Sequence, residues 1–190
     1  MSALTEFPLR HAITAAEYLR MGEAGVFAPD ARLELMDGEI IEMAPIGSRH
    51  AAVVNTLNAL LVQRVANRGI VSVQNSLILS DRTVPQPDLA LLKPSPDRYF
   101  SALPSTRDVL LLVEVADSTL RFDTEKKAPL YARAGIVETW IIDVVAQRLR
   151  LYRDPGIEGY RFTNDLSGNQ RAIAEALPDA AVTVAELFPG

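Results

Sequence analysis

Val109-Leu-Leu-Leu-Val-Glu-Val-Ala116 is the most strand-like segment of the chain. A continuous apolar run of this length suits a central strand covered on both faces. One residue breaks the run. An unpaired carboxylate at Glu114 would cost several kcal/mol in such a place. A proton, a cation or a metal must neutralise it, unless it forms a buried salt bridge or sits at the strand's exposed end.

Outward from this strand, the patterns alternate between sheet and helix. Downstream, a helix spans about 124–134 and is closed by Gly135, and Glu138–Val144 is a strand carrying the single tryptophan. Trp140 reads as core. Arg148–Tyr152 and Tyr160–Thr163 add a meander, with Asp154-Pro155-Gly156 as its turn. Upstream, Asp88–Leu92, Leu77–Leu79 and Val71–Val73 read as strands, and Lys93–Pro104 as a long exposed loop. Ser48 is placed to cap a long helix ending near Gly69, with Val54, Leu57, Leu61 and Val65 on one face. Asp37-Gly38 joins Arg32–Met36 to Glu39–Met43 as a hairpin. Thr14 and Glu17 form a capping box for a short helix over Ala15–Met21. The order predicts a mixed α/β (α+β) sheet with helices packed against it.

Composition narrows the chemistry. The 190 residues carry 19 Lys and Arg against 24 Asp and Glu, a net charge of −5, so nothing draws nucleic acid to the chain as a whole. With 48% apolar residues the length suits a single domain, residues 1–190, with a core over about 14–160 and a C-terminal β extension over about 161–190. Cysteine is absent and His11 and His50 are the only histidines, which excludes thiolate chemistry and histidine-rich zinc centres. No GxSxG elbow or phosphate-binding glycine loop is present. Any metal ligands are then mostly oxygens, which points to magnesium, manganese or calcium. The start of the chain lacks a basic, then apolar leader, and no apolar run is long enough for a bilayer, so the expected location is cytoplasmic, with no membrane association.

Several polar residues invite a role. Asp88 follows Pro87 at a strand start; alone this is turn chemistry, but beside Glu114 it completes a carboxylate pair able to hold one cation. At about 100° per residue, Lys127 falls in the centre of the apolar stripe of Leu130, Tyr131 and Ala134, with Asp123 near it. It either snorkels to the rim or points at the carboxylates. Pro129 should bend or delay that helix. Glu34, between Leu33 and Leu35, reads as an exposed glutamate on pattern alone, and His50 as a surface or packing residue. Arg49, Arg64, Arg68, Lys93, Arg98 and Arg121 form either a basic surface or an ordinary solvated face.

In order along the chain, a set of segments resembles the PD-(D/E)XK nuclease superfamily, in particular its large bacterial family of restriction-endonuclease-like proteins long catalogued as a domain of unknown function. They are Arg32-Leu-Glu-Leu-Met-Asp-Gly-Glu39, Pro45-Ile-Gly-Ser-Arg-His50, Pro87-Asp88, Val113-Glu-Val-Ala-Asp-Ser-Thr119, Asp123 with Lys127 and Tyr131, and Gly135-Ile-Val-Glu-Thr-Trp-Ile-Ile-Asp143. The resemblance implies a restriction-endonuclease-like mixed sheet flanked by helices. It also implies a metal-dependent endonuclease that hydrolyses phosphodiester bonds in DNA with Mg or Mn; a homodimer is expected, because duplex cutting needs two strands served. Asp88, Glu114, Lys127 and Glu34 would be catalytic. Asp88, Glu114, the Val115 backbone carbonyl and Glu34 would hold the metal, with His50, Asp123 and Tyr131 as accessories. Alanine at position 116 stands where the superfamily pattern has lysine, and Lys127 on the following helix fits the displaced amine. The alternative is a catalytically silent module of the same fold that binds nucleic acid or a protein partner.

Overall fold

The computed structural model describes residues 10–188. The stretch read for a leader, residues 1–9, lies outside the described residues.

The apolar run becomes β5, Val109–Ala116, inside a six-stranded sheet. On one side β4, Leu89–Leu92, pairs antiparallel with it and in turn with the edge strand β3, Ile70–Val73. On the other side β6, Glu138–Asp143, runs parallel to β5 and is followed by the antiparallel strands β7, Arg148–Gly156, and β8, Gly159–Ser167. A parallel neighbour needs a crossover, and residues 120–133 supply it as one helical run across the sheet.

Each face of the sheet buries a different partner. Alternate residues Leu111, Val113 and Val115 pack with Trp140 against α2, Ser48–Val65, through Val53, Val54, Leu57, Leu61 and Val65. A second hairpin, β9, Arg171–Ala174, and β10, Leu177–Thr183, extends this core. Residues of the other parity, Leu112 and Ala116, face the crossover helix. Glu114 shares that parity, and the register Leu89↔Val113, continued by one residue, sets Asp88 across from it. Glu114 therefore looks toward the helix that carries Lys127, with Asp88 beside it at the strand end.

The first hairpin is as predicted: β1, Leu33–Met36, and β2, Glu39–Glu42, meet at Asp37 and Gly38, both at positive φ. Helix α1, Ala15–Glu23, has the expected capping box.

Other expectations are corrected. The N-cap of α2 is Gly47 rather than Ser48, and no side chain caps it. Leu77–Leu79 is extended but joins no strand; it makes only single bridges, Ile78 to Ser105 and Ser80 to Thr83, because its partners are loop segments. The β7–β8 turn lies at 157–158, since Pro155 and Gly156 still pair with Tyr160 and Gly159. The crossover helix starts at Leu120, four residues early, as α3, Leu120–Phe122, then one π-turn over Asp123–Lys127, then α4, Ala128–Arg133. Pro129 explains the wide turn. In a regular α-helix its ring would meet the carbonyl four residues back; here the Ala128 N–H bonds the Asp123 carbonyl, five residues back. Of the basic residues read as a basic surface or a solvated face, Arg49, Arg64, Arg68 and Arg121 each pair with an acid.

Away from the carboxylate pair, Glu138 is fully buried and accepts from Trp140 Nε1 at 2.7 Å, Arg153 at 2.9 Å and the Glu175 backbone at 2.7 Å. It ties the β9–β10 hairpin to the sheet. Arg153→Met removes the only cation among these partners and is expected to cost about 3 kcal/mol, the scale for stranding a buried charge. Urea denaturation measures this; a loss under 1 kcal/mol would contradict it.

Candidate active site

Four elements converge on one cleft of about 170 Å³: the β1 hairpin, the N-terminus of α2, the adjoining ends of β4 and β5, and the π-turn. Glu34, Asp88, Glu114, Asp123 and Lys127 all line it, and all are nearly sealed from bulk solvent.

Lys127 is the hub. Its Nζ donates to Glu34 Oε1 at 3.0 Å and to Glu114 Oε1 at 3.1 Å. The choice between a snorkelling and an inward lysine is thereby decided for the inward one. The π-turn contributes directly, because it puts Asp123 and Lys127 on the buried side while Glu125 and Lys126 stay exposed. Glu34 is buried, against the exposed position its pattern suggested. The β1 strand is covered on both faces: Leu35 bonds Val84 and packs with Ala15, and the opposite side points at Lys127. Alternation implies an exposed face only where one side of a strand is open.

Asp88 is held by three donors. Val115 N–H and His50 Nε2 each reach Oδ2 at 2.9 Å, and Gln74 Nε2 reaches Oδ1 at 3.2 Å. Burial raises its carboxyl, but the His50 contact, with the Val115 and Gln74 bonds, outweighs burial and holds it below its ordinary value. His50 is therefore not a surface residue. Gln74 gave no sign in the sequence: it opens an ordinary polar run, Gln74-Asn75-Ser76, after a short strand, and is placed by a positive φ. Asp123 accepts from Thr119 Oγ1 at 2.6 Å, and burial raises its carboxyl despite Lys127. Tyr131, fully buried, donates its hydroxyl to Glu114 Oε1.

Glu34, Glu114 and Asp123 thus gather about one ammonium, with Asp88 near enough to Glu114 to act on its charge. Burial, with the Asp123, Asp88 and Glu34 charges, pushes Glu114 well above its ordinary value even though Lys127 opposes this. Lys127 is itself shifted upward: burial works against its charge, but Glu114, Glu34 and Asp123 more than offset that. Neighbouring negative charge contributes to both shifts, although burial leads for Glu114. Lys127 is an ammonium near neutrality and cannot act as a base.

Among the described residues, no three acidic or histidine side chains are already gathered as a metal cage. The donor set nonetheless suits a hard cation that keeps most of its water. Glu34 Oε2 is buried and without a hydrogen-bond partner. Glu114 spends only Oε1 on Lys127 and Tyr131. The expected ligands Asp88, Glu114, Glu34 and Val115 all line the same cleft.

The family Uma2, described as "putative restriction endonuclease", matches residues 15–185. The chain belongs to this family. Among solved structures, the crystal structure of a "putative nuclease belonging to DUF820" from Anabaena variabilis ATCC 29413 is similar with a TM-score of 0.75 and 14% identity, over 93% of this chain and 97% of that one. At that identity the likeness speaks for the fold, and the mixed sheet flanked by helices is the restriction-endonuclease-like one that the sequence resemblance implied. No curated protein matches the chain. Membership in Uma2 makes the protein nuclease-like in function. No helix among the described residues is long and apolar enough to cross a membrane.

Proposed function

We propose that this Uma2 protein is a divalent-metal-dependent endonuclease acting on DNA. The observation that carries the reading is the convergence of Glu34, Asp88 and Glu114, from three separate strands or strand ends, on one cleft, with Glu34 and Glu114 both paired to the Lys127 ammonium. A structural ion pair needs one acid for one base; this surplus of buried carboxylates is unfavourable without a further cation.

Phosphodiester hydrolysis adds a water oxygen to phosphorus and expels an alkoxide, with negative charge building on the phosphoryl oxygens. A bound Mg or Mn ion lowers the pKa of its water and neutralises that charge. Asp88 and Glu114, with the Val115 carbonyl, would hold the ion, and Glu34 would contribute its free oxygen or position Lys127. Lys127, always protonated here, donates hydrogen bonds to the developing oxyanion and orients the water as a donor. His50 keeps the Asp88 carboxylate oriented and ionised. Duplex cleavage needs two strands served, so the active species is proposed to be a homodimer, which sedimentation equilibrium tests.

The decisive experiment is nicking of supercoiled plasmid DNA across a Mg titration, with an RNA of matched length in parallel. The wild type is expected to nick DNA only with the metal, and Asp88→Asn to lose at least about a hundredfold in rate while remaining folded. DNA binding unaffected by metal, with no cleavage at any concentration of Mg or Mn, would overturn the proposal in favour of a binding module, the reading that alanine at 116 leaves open.

A further inference from the structure

Glu114 is asymmetric. Its Oε1 accepts from both Lys127 Nζ and the Tyr131 hydroxyl, the second of these a very short contact. Its Oε2 makes no hydrogen bond among the described residues, yet it is not one of the partnerless atoms sealed from solvent, so it is the oxygen that meets the cleft. Tyr131 stands one helical turn beyond Lys127, at i+4, so both donors approach Glu114 from the same helix face. Lys127 alone cannot fix the carboxylate. It is shared with Glu34, and a flexible ammonium sets a distance rather than a plane. The phenol differs. Its ring is locked in the core with Leu77, Leu112 and Ile136, and it offers a single directed O–H.

We infer that Tyr131 is the positioning residue of the metal site: by occupying Glu114 Oε1 from the buried side, it turns Oε2 toward the cleft as the ligand for a divalent cation. The inference rests on the endonuclease reading and adds to it a residue that acts through Glu114 rather than on the substrate. Outer partners that orient a ligating carboxylate affect metal affinity by about 10–100-fold.

The test is Tyr131→Phe, which keeps the ring and removes only the hydroxyl. Mn2+ binding to the whole protein is followed by electron paramagnetic resonance of the free ion, without substrate, and DNA nicking is measured across the same Mn2+ range. The variant is expected to bind Mn2+ about tenfold more weakly. The Mn2+ concentration for half-maximal nicking rises by the same factor, while the rate at saturating Mn2+ stays within about threefold of wild type. A merely structural hydroxyl would instead lower the melting temperature and the saturated rate and leave the Mn2+ affinity alone. Mn2+ affinity within twofold of wild type overturns the inference, and so does a variant that no longer folds, because the hydroxyl would then serve the fold. Absence of Mn2+ binding in the wild type itself is a different failure, that of the endonuclease reading.

Discussion

Replacing Lys127 by methionine is expected to destabilise the protein by about 3–5 kcal/mol at neutral pH, the range for removing one partner of a buried charge cluster. Methionine nearly matches the length of the lysine stem, so the loss reports charge rather than a cavity. Without the ammonium, Glu34 and Glu114 face each other and Asp123 with no cation between them. The pH dependence identifies the cause. Glu114, whose folded pKa lies above the ordinary 4.5 of a glutamate, binds its proton more tightly folded than unfolded. Stability then falls as pH rises from that value through the raised one, and the penalty vanishes below it. Lys127 in the wild type adds no slope there, because its shift is upward from 10.5 and it is charged in both states. Urea denaturation at pH 5 and pH 8 should show the deficit shrinking at the lower pH. An equal deficit at both would mean that packing, not charge, is what Lys127 supplies. The exposed pair Arg121–Glu125 gives the contrast, since breaking a solvated ion pair of this kind changes stability by under about 1 kcal/mol.

The contrast between the buried Lys127 and the exposed Arg121–Glu125 pair of one helical run also shows what a sequence can and cannot carry. Periodicity put Lys127 in the apolar stripe, and the structure agrees, although the local geometry is a π-turn that no periodicity rule anticipates. The reason is that the offset introduced by the wide turn is small beside the angular separation of neighbouring residues. Val109–Ala116 was legible as a central strand because burial on both faces leaves an unbroken apolar run. The burial of Glu34 was illegible in its local pattern for a related reason. A short strand with one charged position looks half-exposed, and only the distant partners Val84 and Lys127 reveal that both of its faces are covered. The Asp88 surroundings divide in the same way. The Pro-Asp step marks the strand start locally, whereas Gln74 and His50 reach it from residues 14 and 38 positions away. The turn at 157–158 was misplaced because Asp154-Pro155-Gly156 has turn composition, while pairing with Tyr160 and Gly159 overrides that local preference. Chemistry that depends on one residue type in an improbable place could be read; chemistry assembled from ordinary polar residues by the fold could not.

Glu114→Gln is expected to separate stability from activity. The amide keeps the side chain's size, and its carbonyl oxygen can still accept from Lys127 and Tyr131 in the place of Oε1. What disappears is a buried negative charge that is repelled by Asp123, Asp88 and Glu34. The metal-free variant should therefore match the wild type or exceed it by about 1 kcal/mol, because replacing one of several buried charges by a hydrogen-bonded neutral group relieves desolvation. It should also lose a pH slope. In the wild type the raised Glu114 pKa makes metal-free stability decline as pH rises above 4.5; in the variant that contribution is gone. Metal-dependent DNA cleavage should meanwhile fall by about a thousandfold, since the amide nitrogen would present donors, not a lone pair, to the cleft. Stabilisation by Mg, which follows mass action for any ion that binds only the folded state, should disappear with it. Thermal melts with and without Mg, set beside nicking rates, measure all three. A metal-free loss above 2 kcal/mol would instead make the Glu114 charge a structural requirement of Lys127, and the surplus carboxylate that argues for a cation in this cleft would no longer be in surplus.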